Sequence, residues 1–261
     1  MNRLKVSINA AVSGGNIIKE DYGKVFKEKQ KESLRDVVTE IDELSENIII
    51  KNIKKNFPNE SLLTEENGYE NKNSEGIWIV DALDGTVNYI HGIPMFCVSI
   101  SYWKNMSPEI GVIYNPMSGN LYYAQKNKGC FLNQKKISTR LSDVKKNLCM
   151  MAFSGKNYSP RHRHKEFELF GRLNDFSQGC LRTGSAALNL SYVAEEKCGL
   201  AIGKANKLWD IAAGIVISLE AGANVKFKII DKEKFLVDYI AGSPIIIDQL
   251  INNIDISYLD I

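Results

Sequence analysis

The amino-acid sequence predicts an α/β protein in which helices and sheets form layers, and three observations support this prediction. Apolar residues recur at helical spacing in two segments before Pro58. Short apolar runs separated by Gly, Asn and Pro, as in strands and turns, occupy the region from Ser61 to Ala124. The rest of the chain alternates between helical and strand patterns. This mixture favours α/β layers.

Two helices are predicted at the N-terminal end of the chain. The first covers roughly residues 3–22. Its apolar positions are Leu4, Ile8, Ala11, Val12 and Ile18. The lysine-rich stretch that follows, residues 24–31, is expected to be an exposed, mobile loop. The second helix is predicted from about Thr39 to Asn56, with an acidic first turn that the helix macrodipole favours and with Pro58 just beyond its end.

The predicted sheet region consists of short apolar runs, which read SLLT, IWIVDAL, FCVSISYW, EIGVIYN and NLYYA. The segment IWIVDALDGTVNYI is expected to be a buried strand that ends at carboxylates and a Gly-Thr pair. A short helix is predicted directly after that pair. This segment therefore places acidic side chains between a strand end and a helix start.

The second half of the chain is predicted to alternate between helices and strands. The predicted elements are an exposed polar segment at 159–165, a helix at 166–173, a strand at 178–182, a helix at 184–194, a strand at 199–202 and a helix that opens at Trp209-Asp210. The sequence shows no internal repeat and no linker-like segment. We place a boundary near residue 142, which divides the chain into an N-terminal α+β half, 1–142, and a C-terminal α/β half, 143–261.

Composition and charge narrow the function classes. The formal net charge is +2 over 261 residues, which gives no whole-chain electrostatic argument for a nucleic-acid or membrane partner. No apolar run has signal-peptide quality or membrane-spanning length, so a cytoplasmic protein with a small substrate is expected. The five cysteines are scattered and never in CxxC spacing, which argues against a disulfide framework and a structural zinc site.

Asp81 and Asp84 are the strongest candidates for chemistry, since they end an apolar strand where α/β folds often build sites. Two carboxylates this close repel each other, and a hard cation such as Mg²⁺ would neutralise them. The backbone N–H groups of Gly85 and Thr86, at the start of a helix, could hold a phosphate oxygen. An isolated DxxDG pattern is equally typical of an Asx-type turn with a helix N-cap.

Four motifs together favour a functional site over a simple turn at Asp81 and Asp84. They read DVVTEID at 36–42, LTEENG at 63–68, IWIVDALDGTVNY at 77–89 and LWDIAAG at 208–214. Together they resemble the inositol monophosphatase family, part of a superfamily of lithium-sensitive, magnesium-dependent phosphatases. The segments GVIYNPMSGNLYYAQKNKGCFLN and RTGSAA resemble the family's sheet hairpin and its substrate-side loop. The resemblance runs from about Lys31 to Asp210 and beyond. It implies an α-β-α-β-α layered sandwich, usually a homodimer, that hydrolyses a small phosphorylated substrate with two or three Mg²⁺ ions.

The resemblance also assigns roles to individual residues. It implies that Glu65, Asp81 and the Leu83 carbonyl bind a first metal ion, and that Asp81, Asp84 and Asp210 bind a second. It pairs Thr86 with Asp42 beside a water nucleophile, which Glu65 and Thr86 would orient or deprotonate for metal-assisted in-line displacement. The residues expected to contact phosphate or substrate are Asp84, Gly85, Thr86, Ser185, Ala186 and Lys31, the last of which is also expected near a third metal position.

Two positions depart from the family pattern. Ala82 stands where a proline is usual, which leaves the ligand atoms unchanged. Gly203 stands where members specific for inositol have a glutamate that accepts hydrogen bonds from ring hydroxyls, so the substrate stays open.

Three function hypotheses remain. The first is a phosphatase for inositol 1-phosphate or a similar sugar or polyol phosphate. The second is a related enzyme of the superfamily, either a 3′(2′),5′-bisphosphate nucleotidase, in which Lys204 or Lys207 would contact the extra phosphate, or a histidinol-phosphate or fructose-1,6-bisphosphate phosphatase. The third is a catalytically silent binding protein on the same fold. The intact set Glu65, Asp81, Asp84, Thr86 and Asp210 argues against the third, because a silent protein has no need to keep mutually repelling groups together.

Overall fold

The computed structural model describes residues 2–23, 29–30, 37–38, 40–155 and 159–261. Its helices are α1 (Arg3–Asp21), α2 (Glu40–Asn56), α3 (Thr86–Ile90), α4 (Pro160–Phe176), α5 (Ala186–Ala194), α6 (Leu208–Glu220) and α7 (Pro244–Asn253). Among the helices that the structure describes, none combines the length and the apolar character that a bilayer crossing requires.

The larger of two main sheets comes from the first half of the chain. Its strands are β3 (Ser61–Thr64), β4 (Gly68–Glu70), β5 (Gly76–Asp84), β6 (Cys97–Lys104), β7 (Ser107–Asn115), β8 (Asn120–Gln125), β9 (Gly129–Leu132) and β10 (Lys135–Ile137). They lie in the order β10-β9-β8-β7-β6-β5-β3-β4. Neighbours pair antiparallel except β3 and β5, which are parallel. Two shorter strands, β1 (Lys29–Gln30) and β2 (Val37–Val38), pair with each other.

The smaller sheet comes from the second half of the chain. Its strands are β11 (Leu148–Ala152), β12 (Gly179–Leu181), β13 (Leu200–Lys207), β14 (Asn224–Asp231) and β15 (Leu236–Gly242). They lie in the order β12-β11-β13-β15-β14, in which β11 is parallel to both of its neighbours. Strand β15 pairs antiparallel with β13 and β14. Both sheets are therefore mixed.

The helices and sheets form five layers. Helices α1 and α2 pack on one face of the larger sheet, α5 and α6 lie between the two sheets, and α4 and α7 cover the outer face of the smaller sheet. This arrangement confirms the predicted α-β-α-β-α sandwich. The boundary near residue 142 stays a prediction.

Strand β5 shows why the central apolar runs have no polar face. Trp78 and Val80 belong to the core shared with α1 and α2, whereas Ile79 belongs to the core on the opposite side. Both faces of the strand are buried, so a continuous apolar run replaces the alternation of a half-exposed strand. The layers thus force this strand to end inside the protein, where its terminal carboxylates are shielded from water.

The C-terminal half differs from the predictions in three places, the first of which is strand β11, which was not predicted. Residues 160–165, predicted to be an exposed polar segment, form the first turns of α4. Ser159 caps this helix by accepting a hydrogen bond from the His162 backbone N–H (3.2 Å), and Pro160 follows at the first helical position. The prediction was wrong because the first turns of α4 are largely exposed and carry no apolar stripe. Strands β14 and β15 and helix α7, all after Glu220, were not predicted.

Gly111 on β7 offers a test of the packing between the larger sheet and α6. A Cβ at this position would lie 2.4 Å from the Ala213 carbonyl oxygen, a backbone atom with little room to move. We expect Gly111→Ala to lower the free energy of unfolding by about 1–3 kcal/mol through overpacking. Gly171→Ala on α4 is the comparison, because a Cβ there meets nothing within 4 Å. This substitution should raise the free energy of unfolding by up to about 1 kcal/mol, since alanine favours a helix more than glycine does. Chemical denaturation measures both, and equal effects of the two substitutions would contradict the close approach.

Candidate active site

The candidate site lies at the carboxyl ends of β3 and β5. These strands pair in parallel with Thr64 opposite Val80, so Glu65 and Asp81 follow at the same edge of the sheet. The register between β5 and β6 shifts between Asp81 and Asp84, where β5 contains one extra residue. Such a bulge redirects side chains at a strand end. Sheet pairing thus brings together residues that lie in separate motifs of the sequence.

Three carboxylates converge at this edge. Carboxylate oxygens of Glu65, Asp81 and Asp210 all lie within 4.8 Å of one another. Asp210 comes from the first turn of α6, in the layer between the sheets. Asp81 is 2 % exposed, and its Oδ1 accepts a hydrogen bond from the Leu83 backbone N–H (2.9 Å). The structure therefore joins three of the four carboxylates predicted to be metal ligands.

Burial and mutual repulsion act on these acids together. Burial is the main cause that raises the pKa of Asp81 well above its ordinary value, and the charges of Glu65 and Asp84 raise it further. The pKa of Asp210 is raised by burial and then by the charges of Asp84 and Glu65. A divalent cation would remove this repulsion, and carboxylate oxygens are the ligands that Mg²⁺ prefers. The donor set and its electrostatics therefore fit a magnesium centre.

Asp84 lies beside the cluster and is anchored to α5. Its Oδ2 accepts hydrogen bonds from the Ser185 hydroxyl (2.5 Å) and the Ala187 backbone N–H (2.8 Å). Burial raises the pKa of Asp84 to about 6, although these hydrogen bonds act in the opposite direction. Ser185 also caps α5 by accepting from the Leu188 N–H (3.2 Å). It stays a prediction that Asp84 binds a metal ion. It also stays a prediction that Ser185 and Ala186 contact the substrate.

The turn after Asp84 has a backbone that only glycine accommodates. Gly85 has φ 100°, and a Cβ there would lie 2.8 Å from the Met95 carbonyl oxygen. The Thr86 hydroxyl donates to the Leu83 carbonyl oxygen (3.0 Å) and lies 3.5 Å from Asp42 Oδ2. The structure thus places Thr86 beside Asp42, as the resemblance implies. The metal role of the Leu83 carbonyl stays a prediction.

Lys31, the remaining predicted phosphate contact, lies outside the described residues, as do most of residues 24–31, which were expected to form a loop. Its role near the phosphate and a third metal ion stays a prediction.

A cleft opens beside Asp84 and Asp210. The space between its walls is about 410 Å³, a volume that includes space open to solvent. Ser185 and Ala186, both predicted substrate residues, are among its lining residues. Asn206 also lines the cleft, although the sequence analysis did not identify it as a site residue. Nothing in the sequence pattern separates Asn206 from an ordinary strand residue.

Glu46 is a second residue that the sequence analysis missed. Its carboxylate is fully buried on α2 and accepts four hydrogen bonds from the turn that carries Glu65. The donors are Thr64 Oγ1 (2.8 Å), the Glu66 N–H (3.1 Å), the Asn67 N–H (3.1 Å) and Asn67 Nδ2 (2.6 Å). Glu46 therefore fixes the backbone on both sides of Glu65.

One sequence signal could have revealed Glu46. Asp42, Ser45, Glu46 and Ile49 recur at helical spacing and are all buried. A charged residue on the buried face of a helix requires hydrogen-bond partners, because an unpaired buried charge is very costly. A glutamate on the apolar face of α2 thus indicated a polar partner within the core.

Comparison with known proteins gives a consistent result. A family model described as "Inositol monophosphatase family" matches residues 2–239. A Thermotoga maritima protein named "Fructose-1,6-bisphosphatase/inositol-1-monophosphatase" is 30% identical over 254 residues, which cover 96% of this chain and 95% of that protein. A Haemophilus influenzae protein named "Nus factor SuhB" is 35% identical over 225 residues, which cover 85% of this chain and 84% of the relative.

Solved structures share the fold. The crystal structure of extragenic suppressor protein suhB from Bartonella henselae superposes with a TM-score of 0.85 at 30% sequence identity. The superposition covers 97% of this chain and 98% of that structure. The likeness therefore extends over all five layers.

The buried acids predict a pH dependence for the metal-free protein. The pKa of Asp84 rises from 3.8 to about 6 on folding, so the folded state binds its proton more tightly than the unfolded state. The free energy of unfolding should therefore fall as the pH rises from about 4 to about 6, by at most about 3 kcal/mol from this group. Denaturation in a chelator measures this slope. Asp84→Asn should flatten it, whereas Asp248→Asn, at an exposed position on α7, should not; equal slopes would contradict the assignment.

Glu46→Gln tests whether the buried carboxylate positions Glu65. The amide keeps the size of the side chain but turns one acceptor into a donor that faces backbone N–H groups. We expect a loss of about 1–3 kcal/mol in unfolding free energy together with weaker Mg²⁺ binding by calorimetry. Glu233→Gln, at an exposed position in the turn between β14 and β15, should leave both quantities unchanged. Unchanged Mg²⁺ affinity in a destabilised Glu46→Gln protein would show that Glu46 serves stability alone.

Proposed function

Because the chain belongs to the inositol monophosphatase family, and is therefore a phosphatase of that family, we propose that it hydrolyses a small sugar or polyol phosphate, similar to inositol 1-phosphate, with Mg²⁺ as cofactor. The observation that carries the proposal is the convergence of Glu65, Asp81 and Asp210 within 4.8 Å beside a cleft. Acids this close to one another, with Asp81 buried among them, need a compensating charge. A metal-dependent reaction at this cleft explains why the protein holds these three carboxylates together.

In the proposed mechanism, two or three Mg²⁺ ions would be held by Glu65, Asp81, Asp84, Asp210 and the Leu83 carbonyl. When bound, these ions lower the pKa of an attacking water and stabilise the departing alkoxide. The carboxylates come from three separate elements, so the protein fixes their spacing before any ion arrives. No phosphorylated enzyme intermediate is required.

The remaining steps belong to residues around the carboxylates. Glu65 and Thr86 orient or deprotonate the water, and the contacts of the Thr86 hydroxyl with Leu83 and Asp42 fix the direction of that hydroxyl. The backbone N–H groups of Gly85 and Thr86 hold phosphate oxygens, supported by the left-handed conformation of Gly85. The rest of the substrate lies in the cleft, whose lining residues include Ser185 and Ala186. Lys31 would contribute a positive charge near the phosphate.

The proposal also includes properties that rest on the family resemblance. These are a homodimeric assembly, a cytoplasmic location and inhibition by lithium. Lithium inhibition follows where a small monovalent ion can replace Mg²⁺ at the second metal position.

Two competing proposals concern the substrate and the class of function. The name of the Thermotoga maritima relative includes a bisphosphatase, which keeps a sugar bisphosphate or another bisphosphorylated molecule among the candidate substrates. The name of the Haemophilus influenzae relative, "Nus factor SuhB", allows the alternative of a binding role that needs no catalysis. Activity measurements separate these possibilities.

Phosphate release tests the proposed function. A panel of inositol, hexose, polyol, histidinol and adenosine phosphates should include at least one substrate that is hydrolysed only when Mg²⁺ is present. Asp81→Asn should lower kcat on that substrate by about 100-fold to 1,000-fold, because it removes charge at the centre of the metal site. The preferred substrate then identifies the branch of the superfamily.

Asp248→Asn is the matched control, since the same change at an exposed position on α7 should leave kcat unaltered. Failure of folded, Mg²⁺-binding wild-type protein to hydrolyse any member of the panel would overturn the phosphatase mechanism. That outcome would favour the binding role.

A further inference from the structure

Residues 254–261 follow α7 without forming a helix or a strand, and we call them the C-terminal segment. Ile254 and Leu259 are buried in the core that the smaller sheet shares with α4 and α7. Ile256 and Tyr258 are partly buried against the same core. Apolar contacts therefore place the segment on the outer face of the smaller sheet.

Tyr258 joins the C-terminal segment to the first turn of α4. Its hydroxyl lies 2.7 Å from His162 Nε2, and the two rings meet edge to face with their centroids 5.2 Å apart. The Lys204 ammonium on β13 lies 5.0 Å from the centroid of the tyrosine ring. Tyr258 is therefore held by a hydrogen bond, a ring contact and a cation–π contact, which come from two different elements.

His162 also contacts the strand end that forms one wall of the cleft. Its Nε2 lies 2.9 Å from Ser154 Oγ, and Ser154 directly follows Phe153, which lines the cleft. The fully buried Glu166 fixes Ser154, because its Oε1 accepts hydrogen bonds from the Ser154 N–H and the Ser154 hydroxyl, each at 2.7 Å. Tyr258, His162 and Ser154 thus form a continuous chain of contacts from the C-terminal segment to the cleft.

A second connection to the cleft runs through Asp238 on β15. Its fully buried carboxylate accepts hydrogen bonds from the Asp260 N–H at Oδ2 and from the Ala205 N–H at Oδ1, each at 2.8 Å. Lys204 Nζ also donates to Oδ2 (2.8 Å). Ala205 precedes Asn206, which lines the cleft. The C-terminal segment therefore supports residues of two strands, β11 and β13, that border the cleft.

The surroundings of His162 disfavour a proton on its ring. Burial is the main cause that lowers the pKa of His162 from 6.5; Glu166 and Asp238 raise this pKa, whereas Lys204 and Arg163 lower it. Glu166 is already paired with Arg163, and it lies 4.0 Å from His162 Nε2. Because the pKa is lower when the segment is in contact with His162, this contact is strongest above about pH 6.5 and weakens as the pH falls below that value.

We propose that the C-terminal segment is a latch on the cleft wall and that a proton on His162 opens it. In the closed latch, neutral His162 joins Tyr258 to Ser154 and holds the strand end that carries Phe153. In the open latch, the segment separates from α4 and the cleft wall gains freedom, so that substrate is held less tightly. The effect on substrate rests on the proposed function, whereas the latch itself does not.

Hydrogen–deuterium exchange tests the latch without any catalysis. The readouts are the protection factors of the Asp260 and Ser154 backbone N–H groups, each normalised by the intrinsic exchange rate at the pH used. In wild-type protein, both should lose protection together between about pH 7.5 and about pH 5.5. Tyr258→Phe removes only the hydroxyl and should lower both protection factors at about pH 7.5 by about twofold to tenfold. Tyr69→Phe, at an exposed position on β4, should leave them unchanged.

Variants of two histidines on α4 separate the latch from other effects of pH. His162→Gln stays neutral over this range and should abolish the pH dependence of both protection factors. His164→Gln, at an exposed position on the same helix, should retain it. Protection in wild-type protein that does not change with pH, or a pH dependence that persists in His162→Gln, would overturn the proposal. If His162→Gln does not fold, unchanged protection of Ser154 in Tyr258→Phe would overturn it instead.

Steady-state kinetics with p-nitrophenyl phosphate and Mg²⁺ test the consequence for the cleft. Tyr258→Phe should raise KM at about pH 7.5 by about twofold to tenfold, with a smaller change in kcat, because it leaves every carboxylate of the site in place. An unchanged KM in a variant whose latch is open by hydrogen exchange would overturn the link to the cleft. Wild-type protein that is inactive would contradict the proposed function, and the hydrogen-exchange result would still decide whether the latch exists.

Discussion

Mutual repulsion among buried carboxylates is the constraint on which the rest of the site depends. Glu65, Asp81 and Asp210 hold oxygens within 4.8 Å of one another, and of the three Asp81 is buried whereas Glu65 and Asp210 are partly exposed. Such a cluster opposes folding unless protons or cations neutralise it. The apolar cores between five layers provide the opposing free energy, because both faces of β5 are buried where it delivers Asp81. Stability is thus exchanged for an acidic cluster that could bind a metal ion.

The elements around the cluster share the task of holding it in one geometry. The parallel pairing of β3 and β5 places Glu65 beside Asp81, and the bulge in β5 turns the following carboxylate toward α5. Glu46 holds the turn that carries Glu65, and Ser185 holds Asp84. These contacts come from helices on both faces of the larger sheet. A change in packing at either face can therefore alter the site without replacing any of its carboxylates.

The cleft beside this cluster shows how one fold can serve different substrates. Its metal end is built from residues that match the family motifs, whereas its far wall contains Gly203 and Asn206, where the chain departs from the inositol-specific pattern. In the proposed function, the chemistry of phosphate release depends on the first set, and the choice of substrate depends on the second. The name of the Thermotoga maritima relative includes both a bisphosphatase and a monophosphatase.

The sequence by itself determined the layered fold class, the buried strand that ends at Asp81 and Asp84, and the family, because each depends on local periodicity or on contiguous motifs. It misplaced the start of α4, whose first turns lack an apolar stripe, and it did not reveal β11, β14, β15 or α7. Only the tertiary structure decided that Glu46 supports the turn of Glu65 and that Asn206 occupies the space beside Gly203. Both contacts join residues by strand register and layer packing, and a linear pattern does not encode which distant surfaces meet.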